Sequence, residues 1–428
     1  MTLLQDKSAA DLTTLQNDVR EQLEVLKGKG LRLNIARGNP SPEQLDLSNT
    51  LLNLPGNGAW RTQDGADTRN YIGSVQGLPE ARALFSPMLG AHADQILIGN
   101  NSSLAIMHDC VTFALLKGVV DGSRPWTNQG TISFLCPTPG YDRHFAICEE
   151  FGIRMIPIEM TGQGPDMVEV ERLVRDPSVK GMWCVPIYSN PTGETYSPEV
   201  VHRLAAMETG APDFRLFWDN AYGVHHLTDE RDEIPNILEL CESAGNPNRA
   251  FVFASTSKIT FAGAGLGMFA SSPANVRWLV ERYAKRSIGP NKINQLRHVR
   301  FLKDIDGITR LMEAHRRILA PKFRAMDTVL TRRLSGTGVA TWTRPRGGYF
   351  ISIDMLDGCA KRVVELAKEV GLTLVPAGAS FPYGRDPQDR HLRIAPSFPG
   401  LEELEQAAEV IALSILMAAT ERLLAGDA

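Results

Sequence analysis

Ala250-Phe-Val-Phe-Ala254, a short apolar run, leads directly into the polar residues Ser255-Thr-Ser-Lys258. Two earlier stretches share this layout: Val185-Pro-Ile187 followed by Tyr188-Ser-Asn-Pro-Thr-Gly193, and Phe214-Arg-Leu-Phe-Trp218 followed by Asp219-Asn-Ala-Tyr222. Each apolar run reads as a short buried strand. Because ligands of open α/β sheets bind beyond the carboxyl ends of the strands, the layout predicts that Asn190, Asp219 and Lys258 meet at one rim.

The rest of the chain extends this pattern into a fold class. Strand-like and helical segments alternate between residues 95 and 270, which predicts a mostly parallel sheet covered on both faces by helices, an α/β fold. After residue 273 long amphipathic helices precede short strands, which predicts a smaller α+β domain. We therefore expect an N-terminal helix and arm that joins the small domain (1–60), a large domain (61–305) and a small C-terminal domain (306–428). The polar stretch 37–67 is expected to cross the surface rather than enter the core.

Composition excludes several classes of function. Lysine and arginine total 45 against 49 acidic residues, so no basic excess favours nucleic acid or an anionic membrane. The amino terminus lacks the pattern of a secretory signal, and no apolar run of about 18 residues predicts a membrane span, so a cytoplasmic location is expected. Six scattered cysteines are typical of reduced core thiols. No metal site is predicted, since the adjacent pair His225-His226 is poorly placed to share one ion.

The polar residues at the three strand ends suit one chemistry. A lysine held at the end of a buried strand has a lowered pKa and a nucleophilic amine. A carboxylate at Asp219 can keep a pyridine nitrogen protonated, and Tyr222 and Asn190 can donate hydrogen bonds to a phenolic oxygen. This set is what binding and activation of pyridoxal 5′-phosphate (PLP) requires. The structural alternatives are a surface lysine, a carboxylate that caps its strand and ordinary turn residues.

The ordered motifs Ser189-Asn-Pro-Thr-Gly193, Asp219-x-Ala-Tyr222 and Ser255-x-Ser-Lys258 resemble the fold-type-I, class I/II aminotransferases, which use PLP. Other segments are similar to subgroup Ic of the aspartate aminotransferases, and the resemblance covers essentially the whole chain. These segments are Arg37-Gly-Asn-Pro40, Pro137-Thr-Pro-Gly-Tyr-Asp-Arg-His144, Trp218-Asp-Asn-Ala-Tyr222 and Ile288-Gly-Pro-Asn-Lys292.

The resemblance implies a role for each matching position. It implies catalytic roles for Lys258, Asp219 and Tyr222, and an α-carboxylate site at Arg393 with Gly38 and Asn190 beside it. A guanidinium suits a carboxylate because it can bind it through two hydrogen bonds. The remaining cofactor-binding positions that it implies are Tyr141 against the ring, Asn101, Ser102, Ser103, Ser255 and Ser257 around the phosphate, and Tyr71, which would reach the partner's phosphate in a homodimer.

Two features of the site stay open in the sequence. Most relatives carry a phosphate-binding arginine eight positions after the lysine, where this chain has Leu266. A dicarboxylic substrate also needs a second cation, for which Arg143 and Arg37 are the first candidates. Lys285 and Arg286 read more readily as solvated surface charges.

The preferred function is PLP-dependent, ping-pong transamination between aspartate or glutamate and 2-oxoglutarate or oxaloacetate. An alternative is another PLP reaction on the same scaffold, such as kynurenine or aromatic transamination, C–S lysis or formation of an aminocyclopropane. A more remote alternative is a PLP-binding regulator without catalysis. It fits poorly, because a single predicted helix precedes Arg37 where such regulators carry a winged helix.

Overall fold

The computed structural model describes residues 3–426. The strands are β1 (Leu33–Asn34), β2 (Ile96–Ile98), β3 (Ser133–Thr138), β4 (Arg154–Glu159), β5 (Val179–Cys184), β6 (Arg215–Asp219), β7 (Ala250–Ser255), β8 (Gly267–Ala270), β9 (Ala340–Trp342), β10 (Ile351–Met355), β11 (Leu372–Thr373) and β12 (His391–Ile394). The helices are α1 (Ala9–Gly28), α2 (Pro42–Asp46), α3 (Pro79–Leu89), α4 (Ser103–Lys117), α5 (Asp142–Glu150), α6 (Met167–Leu173), α7 (Pro198–Ala206), α8 (Ile237–Ser243), α9 (Pro273–Arg286), α10 (Lys292–Leu302), α11 (Ile305–Leu334), α12 (Ala360–Val370) and α13 (Leu401–Leu424).

A seven-stranded sheet forms the centre of the larger part of the molecule, in the order β2-β8-β7-β6-β5-β3-β4. The strands from β7 to β4 pair in parallel, whereas β8 runs antiparallel to both β7 and β2. The predicted α/β class with a mostly parallel sheet is confirmed. Because β5, β6 and β7 are neighbours, their carboxyl ends place the three polar motifs side by side at one rim.

The central strands β6 and β7 are mostly apolar because helices cover both faces of the sheet. Phe217 on β6 and Phe251 and Phe253 on β7 are fully buried. The polar residues Asp219 and Ser255 stand at the carboxyl ends of these two strands.

The second part of the molecule is built on the antiparallel sheet β12-β10-β9 and the short parallel pair β1-β11. α1 and α13 pack against each other here, and their apolar faces share one core with α12 and the second half of α11. α11 joins the two cores, since Ile308 lies in the core beside the large sheet and Leu330 lies in the other. The domain bounds 1–60, 61–305 and 306–428 stay a prediction.

The expectation that the stretch 37–67 crosses the surface is wrong for its first part. Gln44 on α2 is fully buried, and its Nε2 donates to the hydroxyl of Tyr349 at 2.8 Å and lies 3.0 Å from Nδ1 of His315. Its Oε1 accepts the backbone N–H of Ser41 at 3.0 Å. The polar side chain enters the core because each of its hydrogen-bonding atoms has a partner there.

All six cysteines are buried, as expected of core thiols. Within residues 3–426, no cluster of three or more histidine, cysteine or acidic side chains is arranged to hold a metal ion. In the same range, no helix combines the length and apolarity needed to span a membrane.

Candidate active site

Lys258 lies just beyond β7, with its amine near two aromatic rings. Its Nζ is 5.2 Å from the ring centre of Tyr222 and 5.8 Å from that of Tyr349. Burial lowers the pKa of Lys258, the negative charge of Asp219 opposes this shift, and the positive charge of Arg393 adds to it. The lowered pKa increases the fraction of the nucleophilic, neutral amine at a given pH.

Asp219, the last residue of β6, is 4% exposed, and its two oxygens differ in their environment. Oδ2 accepts a hydrogen bond from Nε2 of His144 at 3.1 Å, and the imidazole of His144 stacks on Trp183 with ring centres 4.4 Å apart. Oδ1 is buried and has no hydrogen-bond partner among residues 3–426. A buried carboxylate oxygen without a partner is unfavourable, so this atom points to a ligand that donates a proton or carries positive charge.

Two phenols lie close enough to this carboxylate to be affected by its charge. Burial raises the pKa of Tyr141 to about 12, and Asp219 contributes in the same direction. Burial likewise raises the pKa of Tyr222, with further contributions from Tyr141 and Asp219. Both hydroxyls therefore stay protonated near neutral pH and can donate hydrogen bonds.

Arg393 on β12 is 6% exposed and reaches the rim of the large sheet from the small sheet. Its Nη1 donates to Oδ1 of Asp142 at 2.8 Å and to Oδ1 of Asn190 at 3.4 Å. The guanidinium carbon lies 4.9 Å from the ring centre of Phe350. Gly38 contacts the same ring, since a Cβ on Gly38 would lie 2.8 Å from Cζ of Phe350. Gly38 and Arg393 therefore approach the same ring, and the role of Gly38 beside the substrate carboxylate stays a prediction.

The start of α4 lies at the same rim. Ser102 caps this helix by accepting the N–H of Ala105 at 3.2 Å, and Ser103 begins it. Gly267 of β8 packs so closely that a Cβ there would lie 2.6 Å from the carbonyl carbon of Ser102. Helix N-terminal N–H groups favour an anion. Ser255 ends β7 and Ser257 follows it, so both offer hydroxyl donors, and Asn101 is exposed next to the cap.

Leu266, which stands where most relatives have an arginine, is 1% exposed and packs in the core beside the large sheet. Its backbone N–H donates to Oγ1 of Thr256 at 2.9 Å. This position contributes apolar burial and supplies no cation to the rim.

The candidate cations for a second carboxylate remain on the surface. Arg37 and Arg143 are both exposed, and neither forms an ion pair with any residue between 3 and 426. Arg286 lies 3.3 Å from Asp109, and Lys285 is exposed. Tyr71 is 83% exposed, so within one chain it completes no site. The structure therefore brings together the residues around Lys258 and Arg393 and leaves these five outside.

Sequence reasoning missed three members of the site: His144, Tyr349 and His225. His144 follows Tyr141 by three residues, a spacing that places both on one face at the start of α5, so it could have been found. Tyr349 and His225 give no comparable local pattern. Burial, with a contribution from Lys258, lowers the pKa of His225 to about 3, so its ring is neutral beside the lysine.

These groups fit PLP. Oδ1 of Asp219 lacks a partner, Lys258 offers an amine of lowered pKa, and the capped start of α4 offers N–H groups for a phosphate. At Gly267 the start of α4 approaches β8 so closely that no side chain larger than hydrogen fits between them, and the N–H groups of the helix start therefore lie close to the strand.

Comparison with known proteins gives a consistent result. The family model described as aspartate amino-transferase matches residues 7–427. An aspartate aminotransferase of Corynebacterium glutamicum is 49% identical over 418 residues, which cover 98% of this chain and 96% of that protein. A crystal structure of an aspartate transaminase from the same species superposes with a TM-score of 0.96 at 48% identity and covers 99% of both chains. An α-aminoadipate aminotransferase of Thermus thermophilus, solved with N-(5′-phosphopyridoxyl)-L-leucine, has a TM-score of 0.74 at 21% identity over 92% of this chain and 93% of that one, which shows a shared fold.

Proposed function

Because this chain belongs to the aspartate aminotransferase family, we propose that it is a PLP-dependent enzyme that transfers the amino group between aspartate or glutamate and oxaloacetate or 2-oxoglutarate. The observation that carries the proposal is the buried Oδ1 of Asp219, which has no partner in a rim that also holds the amine of Lys258. Bound PLP supplies an electron sink for negative charge at the substrate α-carbon.

Each residue of the rim has a defined task in this proposal. Asp219 holds the ring nitrogen in its protonated form, and His144 fixes the orientation of the carboxylate. Tyr222 and Asn190 donate hydrogen bonds to the phenolic oxygen of the cofactor. The amine of Lys258, with its lowered pKa, would take the proton from the substrate α-carbon and deliver it to C4′ of the cofactor, on the other side of the shared nitrogen.

Arg393 is assigned the substrate α-carboxylate. A guanidinium can bind a carboxylate through two parallel hydrogen bonds. Tyr141 lies close to Asp219 and is assigned to the face of the ring. Asn101, Ser102, Ser103, Ser255 and Ser257 are assigned to the phosphate, with backbone and hydroxyl donors in place of the arginine that Leu266 replaces.

The direct test is transamination by the purified, PLP-loaded protein. We expect aspartate and 2-oxoglutarate to give oxaloacetate and glutamate with ping-pong kinetics. Lys258→Ala is expected to abolish turnover, whereas Lys285→Ala, which changes an exposed lysine, is the matched control. Full activity in Lys258→Ala, or no exchange with any dicarboxylic pair, would contradict the proposal.

We assign the binding of the distal carboxylate to Arg143 or Arg37, exposed cations that are adjacent in sequence to Asp142 and Gly38. Removing the arginine that binds the distal carboxylate should raise KM for aspartate and leave KM for alanine unchanged, because alanine has no second carboxylate. A donor panel that also includes kynurenine, phenylalanine and cystathionine separates aspartate transamination from the other PLP reactions. If neither Arg143→Ala nor Arg37→Ala raises KM selectively for dicarboxylic donors, the assignment of the distal carboxylate to these arginines is wrong.

We also propose that two copies of the chain form a homodimer in which Tyr71 completes the partner's phosphate site. The high exposure of Tyr71 supports this, since an aromatic ring left in water is available for a contact. Co-expression of Tyr71→Ala with Lys258→Ala is the test. If sites are shared, each hybrid dimer contains one intact site, and random pairing recovers about a quarter of the parental activity. Recovery no greater than the sum of the two separate variants would contradict shared sites.

A further inference from the structure

Arg393 is held by residues from the opposite sheet. Arg393 belongs to β12 of the small sheet. Its two acceptors lie beside the large sheet, because Asp142 begins α5 and Asn190 lies in the loop after β5. The start of α5 is tied to the segment before β12, because the backbone N–H of Gly140 donates to the carbonyl of Ser380 at 2.7 Å. The Asp142–Arg393 ion pair therefore spans the junction between the two sheets.

The donors of this guanidinium are used unevenly. Both hydrogen bonds come from Nη1, to Asp142 and to Asn190. Nε is buried, and neither Nε nor Nη2 forms a hydrogen bond with any residue in the described range 3–426. The edge formed by Nε and Nη2 is thus a complete fork without an acceptor, beside the ring of Phe350. A carboxylate is the group that matches such a fork.

We propose that Asp142 is a positioning residue for the substrate α-carboxylate: with Asn190 it occupies Nη1 of Arg393 and turns the free Nε–Nη2 edge toward the substrate. This inference rests on the proposed transamination and concerns a residue that does not itself touch the reacting atoms. Since every amino acid and 2-oxo acid carries the α-carboxylate, the effect of Asp142 extends to all donors and acceptors. The side chain of Asp142 is 32% exposed against 7% for Arg393, so Asp142 can be replaced with little loss of packing.

A competing role for the same contact makes the opposite prediction. If Asp142 occupied Arg393 in place of the substrate, its removal would free the guanidinium and strengthen binding. If Asp142 acted by repelling a distal carboxylate, its removal would help aspartate and leave alanine unchanged. The unpartnered Nε argues against the first alternative, because Asp142 leaves the Nε–Nη2 edge open to a carboxylate. The comparison of aspartate with alanine decides the second.

The test measures kcat and KM of the PLP-loaded enzyme for aspartate and for alanine, together with the dissociation constant of the unreactive dicarboxylate maleate. For Asp142→Ala we expect KM for both donors and the maleate constant to rise roughly 10-fold, the effect of losing a hydrogen bond to a charged group, with kcat nearly unchanged. Asp142→Asn keeps an acceptor oxygen and should recover part of the loss. The control is Glu199→Ala, which removes a first-turn carboxylate from another nine-residue helix, α7.

Unchanged or lower KM in both Asp142 variants, or an effect confined to aspartate, would overturn the inference. A rise in KM that Glu199→Ala reproduces would also overturn it, because helix stability would then be the cause. A parent enzyme without transaminase activity would instead refute the proposed function, and the maleate constants would still decide the role of Asp142.

Discussion

Asp219→Asn is the substitution that separates the charge of this residue from its shape. Asparagine has nearly the same volume and can still accept the hydrogen bond from Nε2 of His144 through its amide oxygen. The negative charge is lost, and the unpartnered Oδ1 position becomes neutral. Lys258 also loses the anion that opposes the lowering of its pKa. The fold is therefore expected to survive a change that removes the electrostatic function.

The size of the effect follows from the burial of the site. Asp219 is 4% exposed, so water screens its charge poorly. Two opposite unit charges about 4 Å apart, at an effective dielectric constant of about 20, attract by about 4 kcal/mol. Because about 1.4 kcal/mol corresponds to a factor of ten, losing this attraction in the transition state should lower kcat/KM by roughly a thousand-fold.

The assay is formation of oxaloacetate from aspartate at saturating PLP, with the unfolding transition recorded in parallel. A loss of activity with an unchanged unfolding transition supports the electrostatic role. A variant within about tenfold of the parent would refute it, because an interaction worth more than 1.4 kcal/mol in the transition state could not then be present.

Three further predictions concern the same rim. Lys258→Met should stabilise the PLP-free protein, because burial lowers the pKa of Lys258 and the folded state disfavours the charged amine. Between the lowered pKa of Lys258 and about 10.4, the unfolded parent chain binds more protons than the folded one, so the free energy of unfolding of the parent increases as the pH rises. The extra stability of Lys258→Met, measured by urea unfolding, should therefore shrink from pH 7 to pH 10. An advantage that grows with pH would contradict this. Gly267→Ala should lower the free energy of unfolding by about 1–3 kcal/mol and weaken PLP binding in a spectroscopic titration, whereas Gly263→Ala adds a methyl group in open space and should do neither. His144→Phe keeps an aromatic ring but leaves Asp219 without its hydrogen bond, so chemical unfolding should show a loss of about 1.5–3 kcal/mol, and no loss would mean that this bond contributes little.

The central part of the fold and of the site could be predicted because polar, reactive side chains directly follow the apolar runs that form the strands. Three apolar runs followed by polar motifs were enough to locate Asn190, Asp219 and Lys258 at one rim. The direction of β8 could not be predicted in this way, since the apolar run 266–270 has the same composition whether the strand is parallel or antiparallel. Strand direction depends on the length and path of the connection, which local sequence does not specify.

Contacts between distant polar residues were the other limit. Gln44 lies in a polar stretch that resembles a surface loop, and its burial depends on Tyr349 and His315, hundreds of residues away. His144 and Asp219 are 75 residues apart in the sequence, and their hydrogen bond forms because α5 packs on the sheet. In both cases a polar side chain is buried because the fold brings a hydrogen-bond partner to it. The spacing of apolar residues along the chain does not predict which residue that partner is.

The residue that binds the cofactor can be identified directly. The PLP-loaded protein is treated with borohydride, digested and analysed by mass spectrometry to locate the pyridoxyl group. The account predicts that the group lies on the peptide that contains Lys258, and that Lys258→Ala abolishes the label while Lys285→Ala retains it. Labelling of a different lysine, or no stable label in the parent protein, would contradict the assignment of this rim as a PLP site.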